Sequence, residues 1–290
     1  MRRAHLVPIA VLAAAVLAAQ GFAQKLEPQT IGEARILRNQ GLEDYNAGRF
    51  EEAYAKFQQA IRLKPDYAQG HNDLGMAASA LNKSEQAIEH LRKAIALNPR
   101  LAEPYYNLGT AFYRLGRFAD AITELKQSIL LKPDYSWAHN NLGVVFFEMG
   151  RLEEAIDSYK QALRHKPDWS EAHCLIARAY YEAGRISEAI DALKQAIRLT
   201  PGFAEAHNSL GVIYYNTKQT GDAFAAFREA IRIDPTFAVA HYNLGVASLA
   251  QRRKDTALER YQTLRILDGP LARRLYGGIY QNMLLDVREK

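Results

Sequence analysis

Cysteine is almost missing from this chain. A single residue, Cys174, among 290 rules out any disulfide within the chain and leaves only a pairing between chains. Charge of one sign is missing too: 37 basic against 32 acidic residues give a formal charge of +5. That balance is too mild to point to nucleic acid or an anionic membrane surface. Long apolar runs are equally scarce. Leu6–Ala19 is shorter than the roughly 20 residues that span a bilayer, and Pro8 interrupts it. No glycine-rich phosphate loop follows a strand, and no nucleophile, base and orienting group stand in a recognisable set, so an enzyme is not expected.

Arg2 and Arg3 followed by Leu6–Ala19 make a positive start and an apolar core, and Gly21-Phe22-Ala23 offers small residues around Phe22. Residues 1–23 therefore read as a secretory signal cut after Ala23, the alternative being an uncleaved membrane anchor. Cleavage would leave 35 basic residues and a charge of +3. The expected compartment is periplasmic or secreted, with a bacterial look to the Ala-rich signal. Residues 24–33 form a polar lead. Within it Thr30-Ile31-Gly32-Glu33 has the spacing of a capping box, predicting a first helix from near Thr30 to about Ala47.

Proline is sparse, with ten residues, yet six of them, Pro65, Pro99, Pro133, Pro167, Pro201 and Pro235, stand 34 residues apart. A fixed period of that length announces a repeat array, which has no single central core. Units begin at Ala34, Ala68, Ala102, Ser136, Ser170, Ala204 and Ala238, and each reads as two helices joined by a tight turn. Gly48, Gly116, Gly150 and Gly184 fill the turn slot, where glycine adopts the left-handed conformation that ends a helix, and Asn82 can do the same. Lys218 and Arg252 hold that slot later, which predicts turns of a different build. Arg49, Arg117, Arg151 and Arg185 follow the turn slot and read as solvated.

Each first helix carries an apolar or small stripe, such as Tyr105, Leu108, Gly109 and Phe112. A mid-helix glycine costs about 1 kcal/mol against alanine, so its return at Gly41, Gly75, Gly109, Gly143, Gly211 and Gly245 needs a packing reason. Alanines on the second helices, Ala53 through Ala257 at the same period, predict close approach of the two helices. Phe57, Leu91, Leu125, Tyr159, Leu193, Phe227 and Tyr261 are expected to fill the space further along.

This pattern of Leu-Gly, aromatic, Gly, Ala and Pro resembles the tetratricopeptide repeat (TPR), in about seven unbroken units over 34–269. The resemblance implies an all-α, right-handed α-solenoid of helix-turn-helix repeats, a scaffold that binds protein. Helical repeats that read RNA have a similar size but lack the small-residue code. In the first unit Gln40 replaces leucine, as suits a polar terminal cap, and the fifth unit has Ile176-Ala177 for Leu-Gly. The segment 270–290 continues the register with Gly277-Gly278 in place of Asn-Leu, and reads as a lone capping helix.

His71, His139, His173, His207 and His241 share one slot. Stacked helices lie about 8–10 Å apart, whereas zinc holds its nitrogens at about 2.0–2.1 Å, so the ladder reads as packing and no metal or other cofactor is expected. Cys174 beside His173 is no nucleophile pair, since adjacent helical residues do not face each other.

Function is expected on the face opposite the buried stripe. One slot there holds Asn39, Asp73, Asn107, Asn141, Ser209 and Asn243, and another holds Tyr45, Tyr113, Phe147, Tyr181 and Tyr215. Asparagine donates and accepts, which suits an extended peptide backbone, and the aromatics add apolar area at little entropic cost. By the resemblance these residues line a concave groove; the alternative is that they are framework shared by all such repeats. Arg178 is an isolated charge suited to a ligand carboxylate. The expectation is an exported adaptor for a protein or peptide partner in cell-envelope assembly. Glycan binding, or positioning of an enzyme partner, are the rival readings.

Overall fold

The computed structural model describes residues 30–288, with side chains as far as 279; the expected signal and most of the lead lie outside the described residues. Every described element is a helix or a short connection. Contacts divide the chain into two compact units, one ending at Ala138 and the other beginning at His139, a boundary inside a helix.

The first unit holds α1 (30–46), α2 (Phe50–Leu63), α3 (Ala68–Ala80), α4 (Ser84–Leu97), α5 (Ala102–Arg114), α6 (Phe118–Leu131) and the start of α7 (Ser136–Glu148). The second holds the rest of α7, then α8 (Leu152–His165), α9 (Ser170–Glu182), α10 (Ile186–Leu199) and α11 (Ala204–Asn216). It continues through α12 (Thr220–Ile233), α13 (Ala238–Ala250), α14 (Lys254–Leu267) and α15 (Gly269–Arg288). Among the described residues no helix is long and apolar enough to cross a membrane.

Turns within each pair close the same way throughout. Arg117 N–H donates to the Phe112 carbonyl at 2.9 Å and Gly116 N–H to the Tyr113 carbonyl at 2.9 Å, the two bonds of a Schellman motif. Gly116 has φ +70°. The expectation of differently built later turns is corrected here: Lys218 and Arg252 adopt φ +63° and +56°. Gln219 and Arg253 then make the long bond to Tyr214 and Ser248 at 2.8 and 2.9 Å. The repeat geometry imposes the left-handed residue whatever its side chain. It costs about 1–2 kcal/mol where glycine is missing.

The arginines after the turns are not simply solvated. Arg117, Arg151 and Arg185 lie over the rings of Phe112, Phe146 and Tyr180 at 4.4, 4.5 and 4.7 Å. Each also pairs with the acid three residues on, Asp120, Glu154 or Glu188. Arg49 and Lys56 both bind Asp44, and their hydrogen bonds hold its carboxyl below the usual aspartate value.

The recurring mid-helix glycine makes room for the large residue of the facing helix. A Cβ on Gly75 would lie 2.6 Å from Leu91 Cγ and 3.1 Å from the Ala87 carbonyl. On Gly143 or Gly211 it would lie 2.7 Å from the ring of Tyr159 or Phe227. In the fifth unit Ala177 takes the slot and is buried, as is Leu193. The seventh unit departs: a Cβ on Gly245 would meet Leu275 of α15 at 2.6 Å. Tyr261 therefore does not fill that notch; its ring lies 5.2 Å from that of Tyr276. Ala272, Leu275 and Ile279 are buried with Ala257 and Leu264, so α15 covers the last pair by inserting a side chain into it.

Candidate partner-binding face

Side chains on consecutive first helices meet at a constant step of 35 residues. Asn107 Nδ2 donates to Asn72 Oδ1 at 2.9 Å, and Asn243 Nδ2 donates to Asn208 Oδ1 at 2.9 Å. Arg38 Nε donates to Asp73 at 2.5 Å, the same pair of slots with polarity reversed. Asn216 Nδ2 donates to the Tyr181 hydroxyl at 2.6 Å, and Arg114 to the Ser79 carbonyl at 2.8 Å. Within each compact unit, successive first helices are thus cross-tied by polar rungs. Each engages groups that would cost about 1–3 kcal/mol if buried unpaired.

Two consecutive rungs are missing, one on either side of α9. The partner slot of Asn140 is Leu175, which has no donor, and Asn140 Oδ1 is buried with no hydrogen-bond partner. The residue is 6% exposed. The next rung would join Cys174 to Ser209; among the described residues that serine makes no hydrogen bond. At this break a cavity of about 350 Å³ opens between α9 and α11, over Leu193 of α10. Cys174, Leu175, Ala177, Val212 and Ile213 make it apolar, and Arg178, Tyr181, Glu182, Asn208 and Ser209 give it a polar margin. Arg178 stacks on Phe147 at 4.4 Å and makes no ion pair among the described residues.

Arg178, Tyr181 and Ser209, singled out from sequence, therefore come together. The other candidates do not join them. Asn39 is exposed, whereas Asp73 is 3% exposed and committed to Arg38, its carboxyl pushed up by burial against the pull of that arginine. Asn107 and Asn243 are half-buried and tied into rungs, and Asn141 is half-buried. Tyr45 and Tyr113 pack against Phe50 and Phe118, with centroids at 5.1 and 6.1 Å, and Tyr215 packs on the Phe224–Phe227 cluster. Phe147 supports Arg178. Leu175, Cys174 and Val212 escaped the sequence reading. Their signal was present: Leu175 stands in the Asn slot, and Arg178 stands where other units carry Leu42, Met76, Thr110, Val144, Val212 and Val246.

The histidine ladder has a structural use. Nε2 of His71, His173, His207 and His241 lies 3.1, 3.0, 3.2 and 2.9 Å from the carbonyl of Pro65, Pro167, Pro201 and Pro235. The ring N–H donates there and clasps the connection between units. The Nδ1 atoms of His71 and His90 lie 3.4 Å apart, which requires one of the two to be unprotonated. Burial pushes the Cys174 thiol up to about 12, with Glu171 and Glu205 adding to it, so the sulfur is a protonated, apolar wall of the cavity.

The chain belongs to the tetratricopeptide-repeat family. Residues 3–234 match the family model described as the cilia and flagella-associated protein 70 C-terminal domain, and residues 226–259 match a tetratricopeptide-repeat model. No curated protein matches the chain. Among solved structures it is similar to the APC/C hetero-tetramer Cut9–Hcn1, at 23% identity and TM-score 0.65, over 77% of this chain and 45% of that one. It thus spans less than half the length of that neighbour. It is similar to Pseudomonas aeruginosa pilF, at 20% identity and TM-score 0.64, over 71% of this chain and 94% of that one. A third is YrrB, a TPR protein with an unusual peptide-binding site, at 21% identity and TM-score 0.53, over 63% and 95% of the two chains. These likenesses concern the fold.

Proposed function

We propose that the chain is an adaptor that binds an extended segment of a protein partner across its first-helix face, and that it acts in the cell envelope after export. The observation that carries the binding reading is the break in the rungs at α9 and α11, where a cavity and Arg178, which makes no ion pair among the described residues, share one face. A face serving only as framework would complete its rungs, because an unpaired buried carbonyl is costly. The family supports the reading. So does YrrB, a related fold with a peptide-binding site, although the likeness to it is structural. Export rests on Arg2, Arg3 and the apolar stretch Leu6–Ala19.

A photo-crosslinking residue at Val212, with a second variant carrying it at exposed Arg198 of α10, tests the face. Expression in the native host should yield a discrete crosslinked protein from position 212 and none from 198. Equal products from both, or a product from 198 alone, would remove the first-helix face from the reading. Fractionation of the same cells tests export: a chain found only with cytoplasmic markers would refute it.

A further inference from the structure

The occupant of the cavity can be specified further, on the adaptor reading just given. We infer that the cavity at Cys174, Leu175, Val212 and Ile213 takes a leucine-sized side chain from an internal stretch of the partner, and that Arg178 takes an acidic side chain close to it. The cavity's 350 Å³ lies at the lower end of the range of specific ligand pockets, which leaves room for a branched apolar side chain together with the backbone that carries it. Its walls are apolar because Leu175 and Cys174 stand where other units place asparagine, arginine, aspartate, serine or tyrosine. Three residues beyond Leu175, Arg178 stands in a slot that otherwise holds an apolar residue or threonine, and the two share a helical face. The fifth unit has therefore exchanged polar and apolar at two neighbouring positions, and the result is an apolar hole beside a cation.

Charge gives the segment a direction. Stacking on Phe147 presents the guanidinium fork, which matches a carboxylate with two parallel hydrogen bonds. Glu182, the acid on the cavity margin, stands one turn from Arg178 on the same face of α9, so the partner's carboxylate must reach Arg178 from the side away from Glu182. Arg178 is the sole cation lining the cavity, and the cleft runs between two helices, so an acidic side chain within a passing strand fits better than a chain end. The Ser209 hydroxyl and one N–H of Asn208, whose Oδ1 already accepts from Asn243, are placed for the segment's backbone.

Panning the full chain against random peptides fused at their C-terminus to a phage coat protein offers no free carboxylate and tests this directly. The expected enrichment is a Leu, Ile or Met close to an Asp or Glu. The enriched peptide, made with an amidated end, should bind Arg178→Gln about tenfold or more weakly. Replacing the peptide's acid by its amide should cause a similar loss and make Arg178→Gln without further effect. Leu175→Asn, checked for helix content and unfolding midpoint, should also bind about tenfold more weakly, because it polarises the cavity. Enriched peptides without the pair, or with equal affinity for both variants, overturn the subsite and leave the adaptor reading standing. No enrichment at all also overturns the subsite, and crosslinking at Val212 then decides the wider reading separately.

Discussion

Replacing Gly109 by alanine tests how closely the paired helices depend on a missing side chain. The new Cβ would lie 2.7 Å from Leu125 Cγ and 3.2 Å from both Leu125 Cδ2 and the Ala121 carbonyl oxygen. Leu125 is fully buried, so its branch point cannot swing to solvent, and the carbonyl is fixed in α6. The helices must part, at the roughly 1–3 kcal/mol that overpacking costs. Alanine returns about 1 kcal/mol of helix propensity, leaving a net loss of about 0–2 kcal/mol. Ala177→Gly in the fifth unit should also destabilise by about 1–2 kcal/mol, for the opposite reason: it sacrifices propensity and leaves a methyl-sized void. Urea unfolding followed by circular dichroism measures both. Amide exchange on α5 and α6 localises the first effect, because a repeat array need not unfold as one unit. Adding Leu125→Ala to Gly109→Ala should cost less than the sum of the two. A Gly109→Ala chain more stable than the parent would refute the reasoning, showing that the glycine is not held there by contact.

Other consequences are simpler. Lys218→Gly and Arg252→Gly, at φ +63° and +56°, should each raise stability by about 0.5–1 kcal/mol in the same assay, as left-handed strain is relieved against the entropy of glycine. Leu275→Ala, which empties the Gly245 notch, should cost about 2–4 kcal/mol and raise exchange in α13 and α14. Burial holds His71 and His90 below the ordinary imidazole value of 6.5. The unfolded chain then binds protons first, so their contribution is complete above that value and is lost as pH falls through the lowered folded values. The protection of α3 and α4 amides, taken relative to their intrinsic exchange rate at each pH, should therefore fall as pH drops below 6.5, and His90→Phe should reduce that slope.

The period, the helix limits and the pairing of helices were legible because their signals are local. Pro65 and its equivalents stop a helix by chemistry of their own, and Gly48 or Gly116 permit a backbone other residues resist. What was not legible depends on neighbours. Lys218 and Arg252 take a glycine's conformation because the helices on either side demand it. Arg117 reads as a solvated turn residue until Phe112 is seen beneath it. Tyr261 looks like every other filler of the glycine notch, but α15 arrives first with Leu275. At the candidate site, the residues that recur, Asn107, Asn243 and Asp73, are tied into rungs. The distinguishing residue, Leu175, was the exception in the very slot being read.

That exception suggests a division of work on the adaptor reading. A rung uses one N–H of its donor asparagine, so Asn107 and Asn243 keep a second N–H and an oxygen for other partners. Held in place already, they lose little freedom when a ligand arrives, which lowers the cost of binding. Yet identical rungs hold a passing strand equally well wherever it lies, because a repeated grip carries no register. Register needs a site unlike its neighbours. The fifth unit supplies one, at the expense of an unpaired Asn140 carbonyl and two missing ties between helices. Specificity is a difference between placements, and here a segment shifted by one unit would set its acid against Val144 or Val212 instead of Arg178. On that reading the periodic residues would account for affinity within each compact unit, and the aperiodic ones for which segment binds and where.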